Sequence, residues 1–320
     1  LKSSGYNLTI WPTEIQNPNN EISFDCIEDL PMNRNNFRKV LKDRKIDLII
    51  NILFKSDPGY GFYIYSVFYP RIKGIKVVFY GHGINKQKES IIRNAIYNIT
   101  YFFFNGLILY SPNEKKQIWK LFHNKTTVAN NTILIKPPDN EIKPKDQIRS
   151  EYGFEEEKII LSTGRLQSRK RIEVLLEIFR DQYLNSPSVR WILVGPELEE
   201  GLLQQINKVG NITYLGAQYN KQIMAEIFKM SDIYCVPGAL GIGIVEAIYW
   251  GLPIVTLDVR HGPEKYYLKD VVNGYIANSA HDLSEKLDFL LNNESVLREF
   301  SDNARKIYEI VRDFPSEDIY

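Results

Sequence analysis

Apolar and polar positions along this chain alternate between two periods. Continuous apolar runs, of the kind that fill a strand buried on both faces, occur at Asp47–Phe54, Ile75–Tyr80 and Gly106–Tyr110. Segments with helical spacing lie between them, at Asn36–Arg44, Lys88–Phe103 and Asn113–Phe122, and Val128 runs into the turn signal Ala129-Asn130-Asn131. The second half repeats the alternation more clearly. Strands are predicted at Lys158–Thr163, Val189–Val194, Ile212–Leu215, Ile233–Val236, Pro253–Asp258 and Gly274–Ile276. Helices are predicted at Arg171–Tyr183, Glu199–Val209, Lys221–Met230, Ile244–Trp250 and His281–Leu291. This spacing predicts an α/β fold class with two Rossmann-like, doubly wound parallel-sheet domains. Ligands of such sheets lie beyond the carboxyl ends of the strands, so the cleft between the two domains is the expected site.

The stretch at 136–148 is polar and Pro-rich and reads as an interdomain connection. The expected division is a first domain over 1–137, a linker over 138–150 and a second domain over 151–320. The chain opens Leu-Lys-Ser-Ser-Gly, which reads as the end of a helix, and Tyr6–Trp11 reads as a strand. A doubly wound domain would start with a further strand and helix, so a first β-α unit is expected to be missing from this sequence.

Composition fits two ordinary globular domains. There are 320 residues, 44% of them hydrophobic and 25% charged. The formal net charge of +1 conceals an asymmetry: residues 1–135 hold 18 Lys/Arg against 10 Asp/Glu, and the remainder 22 against 29. A basic first half suits an anionic membrane surface or a phosphate-bearing acceptor, or is a plain solvated face. The most apolar stretch, Ala95–Tyr110, is interrupted by Asn98, Thr100 and Asn105 and falls short of a membrane span. Two distant cysteines, Cys26 and Cys235, give no disulfide framework or zinc spacing and fit a reducing compartment.

Four segments could carry chemistry. In Ser162-Thr-Gly164-Arg165-Leu-Gln-Ser-Arg169-Lys170-Arg171 a strand ends in a small-residue turn and cations open the next helix. Cations at a helix start oppose its dipole unless an anion joins them, and a diphosphate is the natural one. In Pro237-Gly238-Ala-Leu-Gly241-Ile-Gly243-Ile244-Val-Glu246 a strand leads through glycines to a helix. The glycines allow close backbone approach to a ligand, and the Glu246 carboxylate, one turn in, suits a ribose diol. His82 stands between Gly81 and Gly83 just after a strand. In His261-Gly262-Pro263-Glu264 the last residue either contacts sugar hydroxyls or caps the helix that Pro263 starts.

Taken together these segments resemble the donor domain of retaining glycosyltransferases of the GT-B fold, family 4, over about residues 155–295; the first half resembles them in layout only. Gly164-Arg165-Leu166 through Lys170 is similar to the family's diphosphate-holding segment. Glu246-Ala247 with Gly251-Leu-Pro253 is similar to the end of its Glu-x7-Glu motif, whose second Glu binds the donor ribose. His261 to Glu264, followed by Asn273-Gly274-Tyr275, is similar to the segment after it. His82 falls where the family often places an active-site His. One departure is clear: the motif's first Glu is replaced by Gly238.

The resemblance implies retaining transfer of a hexose-type sugar from a nucleotide-diphosphate sugar to a glycan or lipid-linked acceptor. Arg165 and Lys170 would neutralise the leaving diphosphate, helped by the amides near Gly243 and Ile244 and the close approach at Gly164 and Gly241. His82 would orient the sugar, and no metal or other cofactor would be required. The sequence holds no Asp-x-Asp metal motif; Asp25, Glu28 and Asp29 read as loop charges. Surface-polysaccharide synthesis in the cytoplasm, at the inner face of the plasma membrane, is the expected setting, and nucleic acid is not an expected partner. Two alternatives stay open: a nucleotide-sugar epimerase or phosphorylase on the same fold, and a non-catalytic nucleotide-sugar or glycan-binding homologue.

Overall fold

The computed structural model describes residue 9 and residues 31–52, 60–84, 91–133, 135, 137–138, 140–155, 157–183 and 188–312. The expected strand Tyr6–Trp11 apart from Thr9, Cys26, the loop charges Asp25, Glu28 and Asp29, and the start of the helix expected at Lys88 lie outside the described residues. The chain divides into two compact units after Ala129.

In the first unit the elements are α1 (Arg34–Asp43), β1 (Leu48–Asn51), α2 (Tyr60–Ile72), β2 (Lys76–Gly81), α3 (Ile91–Tyr101), β3 (Gly106–Leu109), α4 (Pro112–Gln117) and β4 (Thr126–Val128). The four strands form one parallel sheet in the order β1-β2-β3-β4. Helix α1 starts where the Asn33 side chain accepts from the amides of Asn35 and Asn36. Its Phe37 and Leu41 pack with Phe62 of α2. A second cluster, built on Val77, Phe79, Tyr101, Leu107 and Phe122, fills the sheet face.

Three expectations need correction here. Helix α2 was not anticipated: Tyr-Gly-Phe-Tyr-Ile-Tyr-Ser-Val-Phe-Tyr has aromatic residues all round, so no polar face marks a helical period. Strand β1 is not buried on both faces, for Leu48 and Ile50 are exposed; among the described strands it pairs with β2 alone and so forms an edge. The helix expected at Asn113–Phe122 ends at Gln117, where Ile118 turns extended, and a 3-10 turn follows over Lys120–Lys125.

In the second unit the elements are α5 (Lys145–Tyr152), β5 (Lys158–Thr163), α6 (Ile172–Ile178), β6 (Val189–Val194), α7 (Glu200–Ile206), β7 (Ile212–Tyr214), α8 (Lys221–Met230), β8 (Ile233–Cys235), α9 (Gly243–Tyr249), β9 (Ile254–Leu257), β10 (Gly274–Ala277), α10 (Ala280–Asn292) and α11 (Glu294–Arg312). The six strands are parallel, in the order β10-β9-β8-β5-β6-β7. The chain winds outward from β5 to β7, then returns to the other side of β5 and winds outward again from β8. The switch point therefore lies between β5 and β8, and ligands of doubly wound sheets bind outside the strand ends at such a point.

The sheet is packed on both faces, one cluster holding Trp191, Leu175 and Leu287 and the other Ile192, Tyr234 and Ile248. The segment expected as a linker over 138–150 includes the start of α5, which belongs to this unit. Its Ile148 is fully buried and its Arg149 donates to the Met230 carbonyl and to Asp232. Helix α11 was also unanticipated, although Leu297, Phe300, Ala304 and Tyr308 recur on one buried face.

Asp232 is the electrostatic anchor of α5. One carboxylate oxygen meets Lys145 Nζ at 2.7 Å; the other takes Arg149 and the Ile159 amide. Burial alone would raise its carboxyl pKa, but Lys145 and Arg149 hold it below the ordinary value. Removing one partner of a buried ion pair strands the others. Asp232→Ala is expected to destabilise the protein by roughly 3 kcal/mol, checked by urea denaturation of the full chain.

Candidate active site

The loops after β5 and β8 bring the sequence motifs together. After β5 the chain turns at Gly164, whose φ of 112° belongs to the region that glycine tolerates best. A Cβ on the neighbouring Gly195 would overlap the Gly164 carbonyl, so the two backbones lie against each other where β5 and β6 end. A 3-10 turn over Ser168–Lys170 follows, then Arg171 in the left-handed region at φ 51° opens α6 without a side-chain cap. After β8 comes the Gly-rich loop. The Gly238 amide donates to the Lys170 carbonyl at 2.8 Å and the Ala239 amide to the Arg169 carbonyl at 2.8 Å. A Cβ at Gly238 would overlap both carbonyls and stand 2.7 Å from Lys170 Cα.

This geometry explains the departure at Gly238. No side chain fits where the two loops are joined, so a Glu there would force the Lys170 turn apart.

Lys170 is 6% exposed. Its ammonium has no hydrogen bond or ion pair among the described residues. It lies between the glycines: a Cβ at Gly241 would stand 3.5 Å from Nζ and one at Gly164 3.9 Å. Burial, and then Arg169 nearby, lower its pKa to about 8, with Glu264 opposing the shift. A buried ammonium without a counter-ion is costly, and an anion in the space between these glycines would relieve the cost. Arg165 is elsewhere on the turn, 70% exposed and 3.8 Å from Glu197. An exposed pair of that kind holds weakly, so the guanidinium is not committed to it.

Of the two amides expected to assist, that of Ile244 already donates to the Gly241 carbonyl at 3.1 Å, leaving Gly243 as the one that can turn to a ligand. Gly243 sits so close to Tyr234 Oη and Thr163 Oγ1 that a Cβ would come within 2.8 Å of both. On α9, Glu246 faces a hollow of about 300 Å³ lined with Pro137, Pro138, Gln218, Tyr219 and Trp250. Burial raises its carboxyl pKa, and no described side chain or amide partners it. A larger hollow, about 650 Å³, takes in Lys158 at the opposite end of β5, shares Trp250 with the smaller one and includes neither Lys170 nor Glu246.

His261 and Glu264 have separate tasks. His261 Nδ1 accepts from the Leu240 amide at 3.1 Å and Nε2 lies 2.9 Å from the Leu257 carbonyl, so the neutral ring clamps the Gly-rich loop. Burial, then Lys265, lower its pKa to about 4. Glu264 is buried, takes the Asn131 side-chain amide and caps no helix; the cap of the 3-10 turn at Pro263–Tyr267 is Gly262.

In the first unit His82 follows β2, and its Nδ1 lies 2.7 Å from Glu114 Oε1. Glu114 escaped notice in the sequence. The available signal was Ser111-Pro-Asn-Glu114, a capping-box spacing at the start of α4. The structure uses it otherwise, for the second Glu114 oxygen takes the Tyr110 amide at 3.0 Å.

The doubly wound parallel sheet, with the buried Lys170 beyond its switch point, is an α/β layout whose ligands bind at the strand ends, and comparison with known proteins gives the family. The model of glycosyl transferases group 1 matches residues 144–307, and the chain belongs to that family. It is 29% identical over 187 residues to an uncharacterized glycosyltransferase of Haemophilus influenzae, covering 57% of this chain and 51% of that one. It is 24% identical over 242 residues to a poly(ribitol-phosphate) alpha-N-acetylglucosaminyltransferase of Staphylococcus aureus, covering 73% and 45%. The chain thus spans about half the length of these curated relatives. The solved structure of Anabaena HepE with UDP-glucose matches with a TM-score of 0.69 at 17% identity, covering 92% of this chain and 85% of that one. The two parallel α/β units are those of the GT-B fold.

Gly238→Ala is expected to cost about 2 kcal/mol by forcing the two loops apart, read as a lowered midpoint in thermal unfolding.

Proposed function

We propose that this chain carries the donor site and transfer residues of a retaining glycosyltransferase. It would move a hexose-type sugar from a nucleotide-diphosphate sugar to a glycan or lipid-linked acceptor in surface-polysaccharide synthesis. The observation that carries the proposal is the buried Lys170 ammonium, with no hydrogen bond or ion pair among the described residues, between Gly164 and Gly241. A diphosphate meets that need, and charge built up on it as the sugar departs is what the ammonium stabilises. Arg165 swings in from solvent as the second cation. Glu246 takes the ribose hydroxyls in its hollow, whose proline and aromatic walls suit the nucleoside. Glu264 is the carboxylate assigned to the sugar hydroxyls in place of the Glu that Gly238 excludes, and His82 orients the sugar. The two cations meet the leaving-group charge, so the proposal includes no metal.

The basic composition of residues 1–135 suits a polyanionic acceptor or an anionic lipid surface at the inner face of the plasma membrane. Exposed Ile92, Ile96 and Ile99 along α3 offer apolar contact for the latter. Among the described residues no helix is long and apolar enough to cross a membrane. Gly238 favours one other reading, a homologue that binds donor without transfer; nucleotide binding with no turnover would select it.

The direct test is thermal stabilisation by UDP, GDP, ADP and their sugars. One nucleoside diphosphate should raise the unfolding temperature, and Lys170→Ala and Glu246→Ala should each abolish the shift. No shift from any of them in the intact chain would reject the donor site.

The Lys170 pKa adds a signature. A bound diphosphate raises the pKa above its free value of about 8, so binding takes up a proton where the free lysine is neutral. Affinity for the stabilising nucleotide should be level below pH 8 and fall by up to about tenfold per pH unit above it. Calorimetric titrations at pH 7, 8 and 9 measure this, and Lys170→Ala should flatten the profile.

A further inference from the structure

We infer that Glu114 is the positioning residue for His82: it holds the ring proton on Nδ1 and leaves the Nε2 lone pair for a substrate hydroxyl. The inference rests on the reading of His82 as a sugar-facing residue and adds a residue that nothing in the sequence motifs assigns.

Four contacts build the arrangement. Glu114 is 1% exposed, and its Oε1 lies 2.7 Å from His82 Nδ1. Its Oε2 is committed to the Tyr110 amide at 3.0 Å. The Tyr110 ring meets the His82 ring edge-on at 4.8 Å. The Gly83 backbone is pinned beside them, because its carbonyl accepts from the buried Tyr101 hydroxyl. A Cβ at Gly83 would press on Ile118 and on the Glu114 carbonyl oxygen at 3.0 and 3.1 Å.

Chemistry then sets the tautomer. An ionised carboxylate only accepts hydrogen bonds, so the imidazole must donate from Nδ1. In the neutral ring Nε2 is then the acceptor, and the histidine side chain is 38% exposed. A carboxylate buried behind an imidazole in this way orients it without touching substrate. The helix cap contributes as well: Ser111 Oγ accepts from the Glu114 amide, fixing the turn that carries the carboxylate.

Glu114→Gln separates this role from simple packing. The amide has the same shape but one acceptor oxygen, and the Tyr110 amide needs it. Its NH2 would then face His82 Nδ1 and drive the proton to Nε2. The experiment is nitrogen-15 NMR of histidine-labelled full chain, with release of UDP from UDP-N-acetylglucosamine, water as acceptor, as the activity probe. In the wild type His82 should be protonated on Nδ1 and bare on Nε2. In E114Q the proton should move to Nε2. UDP release should fall roughly 10- to 100-fold, as for loss of one charge-assisted hydrogen bond. Stabilisation by UDP should be unchanged, since no residue assigned to the nucleotide lies in the first unit. The double variant E114Q with His82→Ala should lose no more than His82→Ala alone.

A wild-type His82 protonated on Nε2 overturns the inference, and so does E114Q at the wild-type rate or additive losses in the double variant. If E114Q does not fold, the wild-type tautomer decides by itself. If none of UDP, GDP and ADP stabilises the chain, the donor-site reading fails, while the tautomer measured in the free protein still decides the Glu114–His82 relation.

Discussion

Two backbone hydrogen bonds, Gly238 to Lys170 and Ala239 to Arg169, set the layout of the loops after β5 and β8. Strands β5 and β8 stop pairing after Leu161 and Tyr234, and their following loops are held together beyond the sheet by these bonds. They require bare backbone at position 238, and they put the Lys170 ammonium beside Gly241. That contact encloses the lysine beyond the strand ends, and its burial there, with Arg169 nearby, lowers its pKa. With the loops this close, a side chain at position 238 has no room.

The charges on this frame are of two kinds. Asp232 with Lys145 and Arg149, and Glu157 with Arg190, are paired and hold the second unit together. Lys170 and Glu246 are largely enclosed yet have no such partners among the described residues, and burial shifts both pKa values towards the neutral forms. Keeping charges unpaired opposes folding, and such a cost is borne where function needs it. The large apolar clusters on both faces of the second sheet supply the margin. In the first unit the pattern is reversed: the His82 imidazole stands against a buried carboxylate, which trades freedom of the ring for a fixed direction.

Much of the second unit was legible from the order of residues alone. The limits of β5, β6 and α8 coincide with those expected from apolar runs and helical spacing. The nearness of Gly164 and Gly241 to Lys170 agrees with their positions after two neighbouring strands. These are local signals, carried by period and by the turn chemistry of glycine and proline. Helix α2 was illegible because its aromatic residues cover every face, and β1 was misjudged because an apolar run does not say how many neighbours a strand has.

What the sequence determined by itself was the alternation of elements, the parallel sheets and the placing of glycines and cations after two neighbouring strands. What only the tertiary structure decided was which distant residues meet: Glu114 with His82, Gly238 with the Lys170 backbone, His261 with Leu240, and Arg165 turned outward to Glu197. Local pattern reports on neighbours within a turn or two. These pairings arise from the docking of loops across a sheet edge and a helix end, where close packing, and not propensity, selects the partner.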